Sequence, residues 1–284
     1  EPALVGRGRV VDADLIVTGA HGRSGGRRRL LGSGSEGTVR LADRPILVVP
    51  SGVDGFGVRD CARRPLSVVV AAHEEADRIA ATVGALRDAF PGAAIWVGDD
   101  ASRDGTAERA MLAGAQVVRR GKAHGKGGNV SAACEAALSA DPAPRLVLLC
   151  DGDLGASAAR LGPLVDAVAA GECDLAVAAF ARRVGGGFGV ALGFARWAER
   201  RLCGFEARAP ISGQRALRAD VLRAVLPFAR GFGMEIGMTV DAVRAGYRVR
   251  EYEIDLDHRT TGRTAAGFLH RAVQLRDFAL VFLR

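Results

Sequence analysis

Short apolar runs alternate with amphipathic stretches along most of the chain. The apolar runs from Leu66 onward are 66–72 (LSVVVAA), 93–97 (AAIWV), 116–118 (QVV) and 145–150 (RLVLLC). Helical periodicity occupies 75–89, 105–113 and 127–139 between them. Apolar strands separated by helices are typical of a parallel sheet that is covered on both faces. The pattern therefore predicts an α/β fold.

The first fifty residues follow a similar order over a shorter length. Apolar runs at 13–18 (ADLIVT) and 45–50 (PILVVP) flank a stretch, 19–37, that is rich in glycine and arginine. Residues 51–64 contain three glycines and little periodicity, which is typical of a linker. We expect a segment 1–50, a linker 51–64 and a main domain 65–284. So short a sheet buries little surface, so we expect it to pack on the main domain or on another copy, as in a homodimer.

The composition indicates a globular protein and argues against nucleic acid as a partner. Hydrophobic residues make up 49% and charged residues 25%, as in ordinary folded domains. The net charge of +7 comes almost wholly from arginine, and aromatic residues, at 5%, are not interleaved with basic runs. That arrangement argues against a stacking surface for single-stranded nucleic acid, so we expect no nucleic-acid partner.

The cysteines and the uncharged stretches indicate the cellular location of the protein. The five cysteines are widely spaced and include no CxxC pair, so we expect neither a disulfide framework nor a zinc knuckle. The uncharged stretch 184–195 is too short to span a membrane. We expect a cytoplasmic protein.

Acidic residues follow two successive strands of the main domain. His73, Glu74 and Glu75 come after the first strand, and 99–106 (DDASRDGT) comes after the second. Ligands of open α/β sheets bind at the carboxyl ends of strands, and carboxylates there can accept hydrogen bonds from a ribose or a base. Asp104 has a second interpretation, because it could cap the helix that begins near Gly105.

Two further motifs follow in the same half of the chain. Residues 121–129 (GKAHGKGGN) form a glycine-rich turn into a helix, where backbone amides and Lys126 can hold an anion, although a plain loop has the same composition. Asp151 and Asp153 come directly after the strand 145–150. Residues two apart on an extended segment face the same way, so both carboxylates can converge on Mg²⁺ or Mn²⁺.

Together, these motifs resemble those of family-two glycosyltransferases with the GT-A fold. Residues 68–75 (VVVAAHEE) match the family's V-V-I-P-A-Y-N-E, with His73 for Tyr and Glu74 for Asn. Residues 99–106 match D-D-x-S-x-D-G-T, 125–127 match G-K-G and 151–153 match D-x-D. The resemblance covers 65–284 and extends to polyprenyl-phosphate glycosyltransferases and glucosyl-3-phosphoglycerate synthases.

The resemblance implies a metal-dependent transfer of a hexose from a UDP- or GDP-linked sugar to a phosphorylated small molecule or a lipid phosphate. The implied donor-binding residues are Ala72, Glu75, Asp99, Asp100 and Lys126, and the implied ligands of Mg²⁺ or Mn²⁺ are Asp151, Asp153 and His258. The further substrate-binding candidates are Gln214, Arg215 and Arg259, and Glu235 is the candidate general base.

Three of these roles have an alternative interpretation from the residues themselves. His258 could be hydrogen-bonded at a strand end, Glu235 could favour the helix dipole at an N-terminus, and Arg215 could be solvated. The resemblance leaves inversion or retention at the sugar open.

The glycines of the first segment resemble a different family. Gly19, Gly22, Gly32 and Ser33 have the spacing of the phosphate loop in the C-terminal part of universal stress proteins. The resemblance covers residues 1–50. It implies either a structural appendage or, as an alternative function for the chain, a nucleotide sensor that binds ATP without turnover.

The last twenty residues predict an amphipathic helix. The apolar stripe consists of Phe268, Leu269, Ala272, Leu275, Ala279, Phe282 and Leu283. Such a helix, with Arg271 and Arg276 off the stripe, either packs against the protein's own sheet or lies on an anionic membrane. Peripheral contact with a membrane would favour a lipid-phosphate acceptor.

Overall fold

The computed structural model describes residues 16–20, 46–50, 66–140, 143–180, 190–256, 276–278 and 280–282. The chain divides into two compact units, Glu1–Arg63 and Arg64–Arg284. In the first unit, β1 (Ile16–Ala20) and β2 (Ile46–Pro50) form a parallel pair, with Ile16 opposite Ile46. Both strands coincide with predicted apolar runs. The glycine loop between them lies outside the described residues.

The second unit is built around a seven-stranded sheet. Its strands are β3 (Leu66–Ala72), β4 (Ala94–Asp99), β5 (Gln116–Arg119), β6 (Leu146–Asp151), β7 (Leu175–Phe180), β8 (Arg215–Arg218) and β9 (Val249–Ile254). Their order is β5-β4-β3-β6-β8-β7-β9, and only β8 runs antiparallel to its neighbours. The predicted α/β class with a mainly parallel sheet is confirmed.

Helices cover both faces of this sheet. They are α1 (Ile79–Ala89), α2 (Thr106–Leu112), α3 (Gly125–Leu138), α4 (Gly162–Ala169), α5 (Val190–Cys203), α6 (Ala219–Val225) and α7 (Met234–Arg244), with 3₁₀ turns at Gly155–Leu161 and Gly231–Gly233. Within the described ranges, no helix is both long and apolar enough to span a bilayer.

Alternate residues of the central strands enter two separate cores. Val68 and Val70 of β3 pack with α1 and α4 on one face, whereas Val69 packs with α3 and α7 on the other. Leu148 and Leu149 of β6 divide in the same way. Because both faces are buried, these strands are apolar at nearly every position, with the buried Ser67 of β3 as an exception, and their charged residues come where the strands end.

Helix α1 begins four residues later than the periodicity predicts, at Ile79 instead of residue 75. The backbone N–H groups of Glu74, Glu75 and Ala76 donate to side chains of the loop after β4, each at 2.9 Å. These three N–H groups are therefore hydrogen-bonded to the neighbouring segment that follows β4. Glu74 also has a positive φ of 56°, which does not fit a right-handed helix. The segment therefore stays a turn that joins two loops.

The C-terminal residues pack on the protein itself, but in a different phase from the predicted stripe. Phe278 and Val281 are buried in a small cluster with Ile236 of α7 and with residues of α5. Phe282 is only half-buried, and Leu280 is 58% exposed. The described residues of this helix, 276–278 and 280–282, therefore pack against other helices and not against the sheet, and their buried side is more than roughly a third of a turn from the predicted stripe.

Candidate active site

The carboxyl ends of β4, β3 and β6 lie side by side, which brings three polar loops together. The loops are joined by backbone hydrogen bonds: Asp100 N–H donates to the Ala72 carbonyl at 3.0 Å, and Gly152 N–H donates to the Ala71 carbonyl at 2.8 Å. This is the edge at which the sequence places its acidic motifs. The bonds from Asp100 and Gly152 fix the start of the second and third loops against the end of β3.

Asp99, the last residue of β4, and Asp100, which follows it, make contacts with other parts of the protein. Asp99 is completely buried, and its Oδ2 lies 3.3 Å from Nε of Arg119 on the neighbouring strand β5. Asp100 is also buried, and its Oδ1 accepts from the backbone N–H of His124 at 2.8 Å. The Asp99 carboxylate is withdrawn from solvent and anchors the end of β4 to β5, and its expected contact with a nucleoside stays a prediction.

Asp104 joins two loops and also serves the start of α2. One carboxylate oxygen accepts from Thr106 N–H at 3.0 Å and the other from Ala76 N–H at 2.9 Å. Burial acts to raise the pKa of Asp104, but these hydrogen bonds outweigh it and the pKa is lowered. Asp104 accepts from a backbone N–H in the first turn of α2, as the capping interpretation predicted, but the N-cap position itself is occupied by Gly105.

Glu75 lies in the loop that connects β3 to α1 and is half-buried. Its backbone N–H donates to Oγ1 of Thr106. Together with Glu74, Asp77 and Arg78 it lines a small polar recess of about 240 Å³. Of the predicted donor-binding residues in the first loop, Glu75 is thus the one beside an open recess, whereas Ala72 is buried and its carbonyl is occupied.

A lysine joins two acidic residues at the centre of the site. Nζ of Lys126 lies 2.7 Å from Oδ1 of Asp151 and 2.7 Å from Oε1 of Glu235. Burial alone would lower the pKa of Lys126, but the two carboxylates outweigh it and raise the pKa above its ordinary value. Lys126 is in the first turn of α3, and not in a loop as the motif suggested. Three distant parts of the sequence thus meet at one ammonium group.

The second oxygen of Asp151 is held by Gln214. Gln214 Nε2 donates to Oδ2 of Asp151 at 2.7 Å, and its own Oε1 accepts from Ser212 Oγ at 3.1 Å. Gln214 is buried, so its role in this structure is to orient the Asp151 carboxylate. Sequence analysis placed Gln214 in a substrate-binding segment but did not connect it with the D-x-D motif.

Two glycines permit the close approach of these side chains. A Cβ at Gly127 would collide with the Ala229 carbonyl, so α3 can approach the segment before α7 only with glycine at this position. A Cβ at Gly213 would lie 2.7 Å from Nζ of Lys126 and 2.8 Å from Oδ2 of Asp151. Ordinary Cβ contacts are longer than this, so the site requires a residue without a side chain here.

Arg215 is completely buried, so the alternative of a solvated arginine is wrong, and its expected contact with an acceptor phosphate stays a prediction. Its guanidinium donates to the Ser212 carbonyl at 2.8 Å, the Thr239 hydroxyl at 2.9 Å and the Pro210 carbonyl at 3.2 Å. The planar, multiply donating guanidinium suits this task. Arg215 therefore shapes the turn 210–213 that carries Gly213 and leads into Gln214.

A carboxylate that sequence analysis missed lies near Arg215. Glu199 of α5 is completely buried, and neither of its oxygens makes a hydrogen bond of good geometry to the protein. Burial raises the pKa of Glu199 to about 8, although Arg215 and Thr239 oppose the rise. Its sequence surroundings, RWAERRLC, indicate an exposed helix face, so no local signal could have identified it.

The described residues supply part of a metal site. Asp151 already pairs with the ammonium of Lys126. Asp153 follows two residues later, and its backbone carbonyl accepts a hydrogen bond from Arg78 at 3.0 Å. No group of three His, Cys, Asp or Glu side chains able to hold a metal occurs among the described residues, and His258 and Arg259 lie outside them. Carboxylate oxygens with a partly exposed position suit Mg²⁺ or Mn²⁺, which commonly complete their ligand shell with phosphate and water.

Comparisons with known proteins agree with this arrangement. Residues 67–225, more than half of the chain, match the family glycosyl transferase family 2. Residues 9–50 match the universal stress protein family. An undecaprenyl-phosphate mannosyltransferase from Micrococcus luteus is 30% identical over 223 residues, which cover 72% of this chain and 89% of that protein.

Solved structures show the same fold. A complex of glucosyl-3-phosphoglycerate synthase from Mycobacterium tuberculosis with Mn²⁺, UDP and phosphoglyceric acid matches with a TM-score of 0.64 at 26% identity, over 78% of this chain and 79% of that one. The complex of the same enzyme with Mn²⁺, UDP-glucose and glycerol 3-phosphate matches with a TM-score of 0.61 at 25% identity, over 78% and 80%. The GT-A architecture expected from the motifs is confirmed. The chain therefore belongs to glycosyl transferase family 2 and is a nucleotide-sugar-dependent glycosyltransferase.

Proposed function

We propose that this protein transfers a hexose from a UDP- or GDP-linked sugar to a polyprenyl phosphate, with Mg²⁺ or Mn²⁺ as cofactor. The observation that carries the proposal is the Asp151 carboxylate, held by Lys126 and Gln214 at the carboxyl end of a buried parallel strand. The relative from Micrococcus luteus, whose name specifies a lipid-phosphate acceptor, supports the choice of acceptor.

Charge balance supports the need for a dication. Asp151 and Glu235 carry two negative charges beside one ammonium group, that of Lys126. A diphosphate brought to the same strand end would meet net negative charge, which is unfavourable at short range in a partly buried site. The candidate ligands of the cation are Asp151, Asp153 and His258. When bound, such a cation stabilises the charge that develops on the departing nucleotide.

Lys126 has a second task in the proposed reaction. Its ammonium lies between Asp151 and Glu235, so it supplies positive charge on the side of Asp151 that faces α7. A buried, fully protonated lysine can stabilise a diphosphate oxygen without reorganisation of water. Glu75, beside the recess after β3, is the proposed contact to the nucleoside.

The role of Glu235 depends on the acceptor. The nucleophile of a phosphate acceptor is a phosphate oxygen, which is already largely deprotonated at pH 7 because the second pKa of a phosphate monoester is about 6. Glu235 is then not needed as a general base, and its work is to hold Lys126. A hydroxyl acceptor would instead require the base, and a base typically contributes about 10²- to 10⁴-fold to the rate.

The test combines a choice of acceptor with one conservative variant. The full chain is incubated with Mn²⁺, labelled UDP- or GDP-hexose and either undecaprenyl phosphate or 3-phosphoglycerate, and the label is partitioned between organic and aqueous phases. We expect label in the organic phase, less than about a tenfold loss in Glu235→Gln, and no transfer by Asp151→Asn. Label that enters only phosphoglycerate, with a large loss in Glu235→Gln, would refute the lipid acceptor. No transfer with any donor would refute the function.

A further inference from the structure

Three aromatic side chains meet at the surface where α5 and the C-terminal helix (described at 276–278 and 280–282) pack together. The ring centroids of Trp197 and Phe282 are 4.8 Å apart, and those of Trp197 and Phe194 are 5.5 Å apart. Trp197 is 51% exposed. We call these residues, Phe194, Trp197 and Phe282, the Trp197 patch.

Arginines lie beside this patch on α5. Arg200 and Arg201 follow Trp197 by three and four residues and are exposed, as is Arg196. Residues three or four apart on a helix share one face, so Trp197, Arg200 and Arg201 form one surface of aromatic and basic groups. On the C-terminal helix, the exposed Arg276 pairs with Asp277 at 2.9 Å, so its charge is compensated.

Negative charge is scarce on the same surface. The acidic residues among the described positions of these two helices are Glu199 and Asp277, and both are buried. The exposed Glu206 lies 3.7 Å from Arg200, both side chains being largely solvated, and such a surface pair is weak. The α5 surface around Trp197 thus combines tryptophan with an excess of positive over negative charge, the combination that favours the boundary of an anionic membrane.

The inner side of the same helices packs against α7, the helix that carries Glu235. Phe278 and Val281 pack against Ile236, which follows Glu235 in the first turn of α7. Asp277 lies against Gly231, in the 3₁₀ turn that leads into α7. One layer of helix therefore separates the Trp197 patch from the element that carries Glu235.

We propose that the Trp197 patch docks this protein on an anionic lipid surface and so presents a lipid-linked acceptor to the active site. The inference rests on the proposed function only in the choice of acceptor. An acceptor whose phosphate lies among lipid headgroups must be reached at the membrane surface, and docking through α5 and the C-terminal helix places α7 next to that surface. A second copy of the chain is the competing occupant of an exposed apolar patch.

Vesicle sedimentation with the full chain tests the proposal. We expect binding to phosphatidylcholine vesicles that contain about one third phosphatidylglycerol, little binding to phosphatidylcholine alone, and loss of binding with rising salt. The double variant Trp197→Ala, Phe282→Ala should weaken binding at least about tenfold. Arg200→Ser with Arg201→Ser should weaken binding mainly at low salt. The matched control is Met111→Ala with Leu112→Ala, an exposed apolar pair on α2, which should bind as wild type.

Several outcomes would overturn the docking site. They are a wild-type protein that does not bind the anionic vesicles, a Trp197 and Phe282 double variant that binds as well as wild type, and a control variant that loses binding equally. A concentration-dependent dimer in sedimentation velocity that the double variant abolishes would assign the patch to a second copy. Transfer to a short, water-soluble polyprenyl phosphate without vesicles measures the proposed function separately, so the failure of one is distinguishable from the failure of the other.

Discussion

Substitution of Gly213 by alanine tests the geometry on which the candidate active site depends. The new Cβ would lie 2.7 Å from Nζ of Lys126, and 2.8 Å and 2.9 Å from the two oxygens of Asp151. To reach an ordinary separation of 3.4 Å, these atoms must move by roughly 0.5 Å or more, which is the tolerance within which functional groups need to be held. The ends of two flexible side chains can move, so the fold should remain intact while the carboxylate turns.

The expected consequence is a loss of metal and nucleotide binding with little loss of stability. Substitutions that displace a metal-ligating carboxylate through its neighbours typically cost about 10- to 100-fold in affinity. Gly213→Ala should therefore weaken binding of Mn²⁺ with UDP or GDP by about that factor, measured by isothermal titration calorimetry. The melting temperature of the free protein should stay within a few degrees of wild type.

The matched control is Gly84→Ala on α1. A Cβ there meets nothing within 4 Å, and alanine favours a helix interior over glycine by about 1 kcal/mol. This variant should bind nucleotide as wild type does and melt slightly higher. If Gly213→Ala binds Mn²⁺ and nucleotide within about twofold of wild type, the reasoning that a Cβ at Gly213 turns a metal-binding Asp151 carboxylate is refuted.

Two further predictions concern stability and pH. Because burial raises the pKa of Glu199 from 4.5 to about 8, the folded state keeps a proton that the unfolded state releases, so the free energy of unfolding should fall between about pH 4.5 and pH 8 by up to about 1.4 kcal/mol per unit. Urea denaturation of Glu199→Gln should give a flatter profile over that range, and an unchanged slope would contradict the burial of an ionisable carboxyl. Asp174 has its pKa lowered, chiefly by hydrogen bonds from Arg248 and also by Arg218, so its contribution is present at neutral pH and is lost as the pH falls below 3.8. Asp174→Asn should cost about 1–2 kcal/mol at pH 7, with the exposed Asp220→Asn costing less, and equal costs would refute the role of burial.

The sequence located β3, β4 and β6 of the second unit because these strands are largely buried on both faces. A strand such as Leu66–Ala72 must be apolar at nearly every position, and its first charged residue must come where the strand meets solvent. The same rule located the acidic motifs and Asp151 at one edge of the sheet. It also identified the family, because several motifs occur in one order along the chain.

Only the tertiary structure decided which charged residues face a substrate. Arg215, Asp99 and Glu199 stand in segments whose composition is equally compatible with exposure, yet all three are buried by elements that are distant in the sequence. Periodicity reports which residues share a face of their own helix or strand, but burial depends on what packs against that face. The meeting of Lys126 from α3, Asp151 from β6 and Glu235 from α7 has the same origin, because it arises from the order of strands in the sheet and from two glycines that let distant backbones come close.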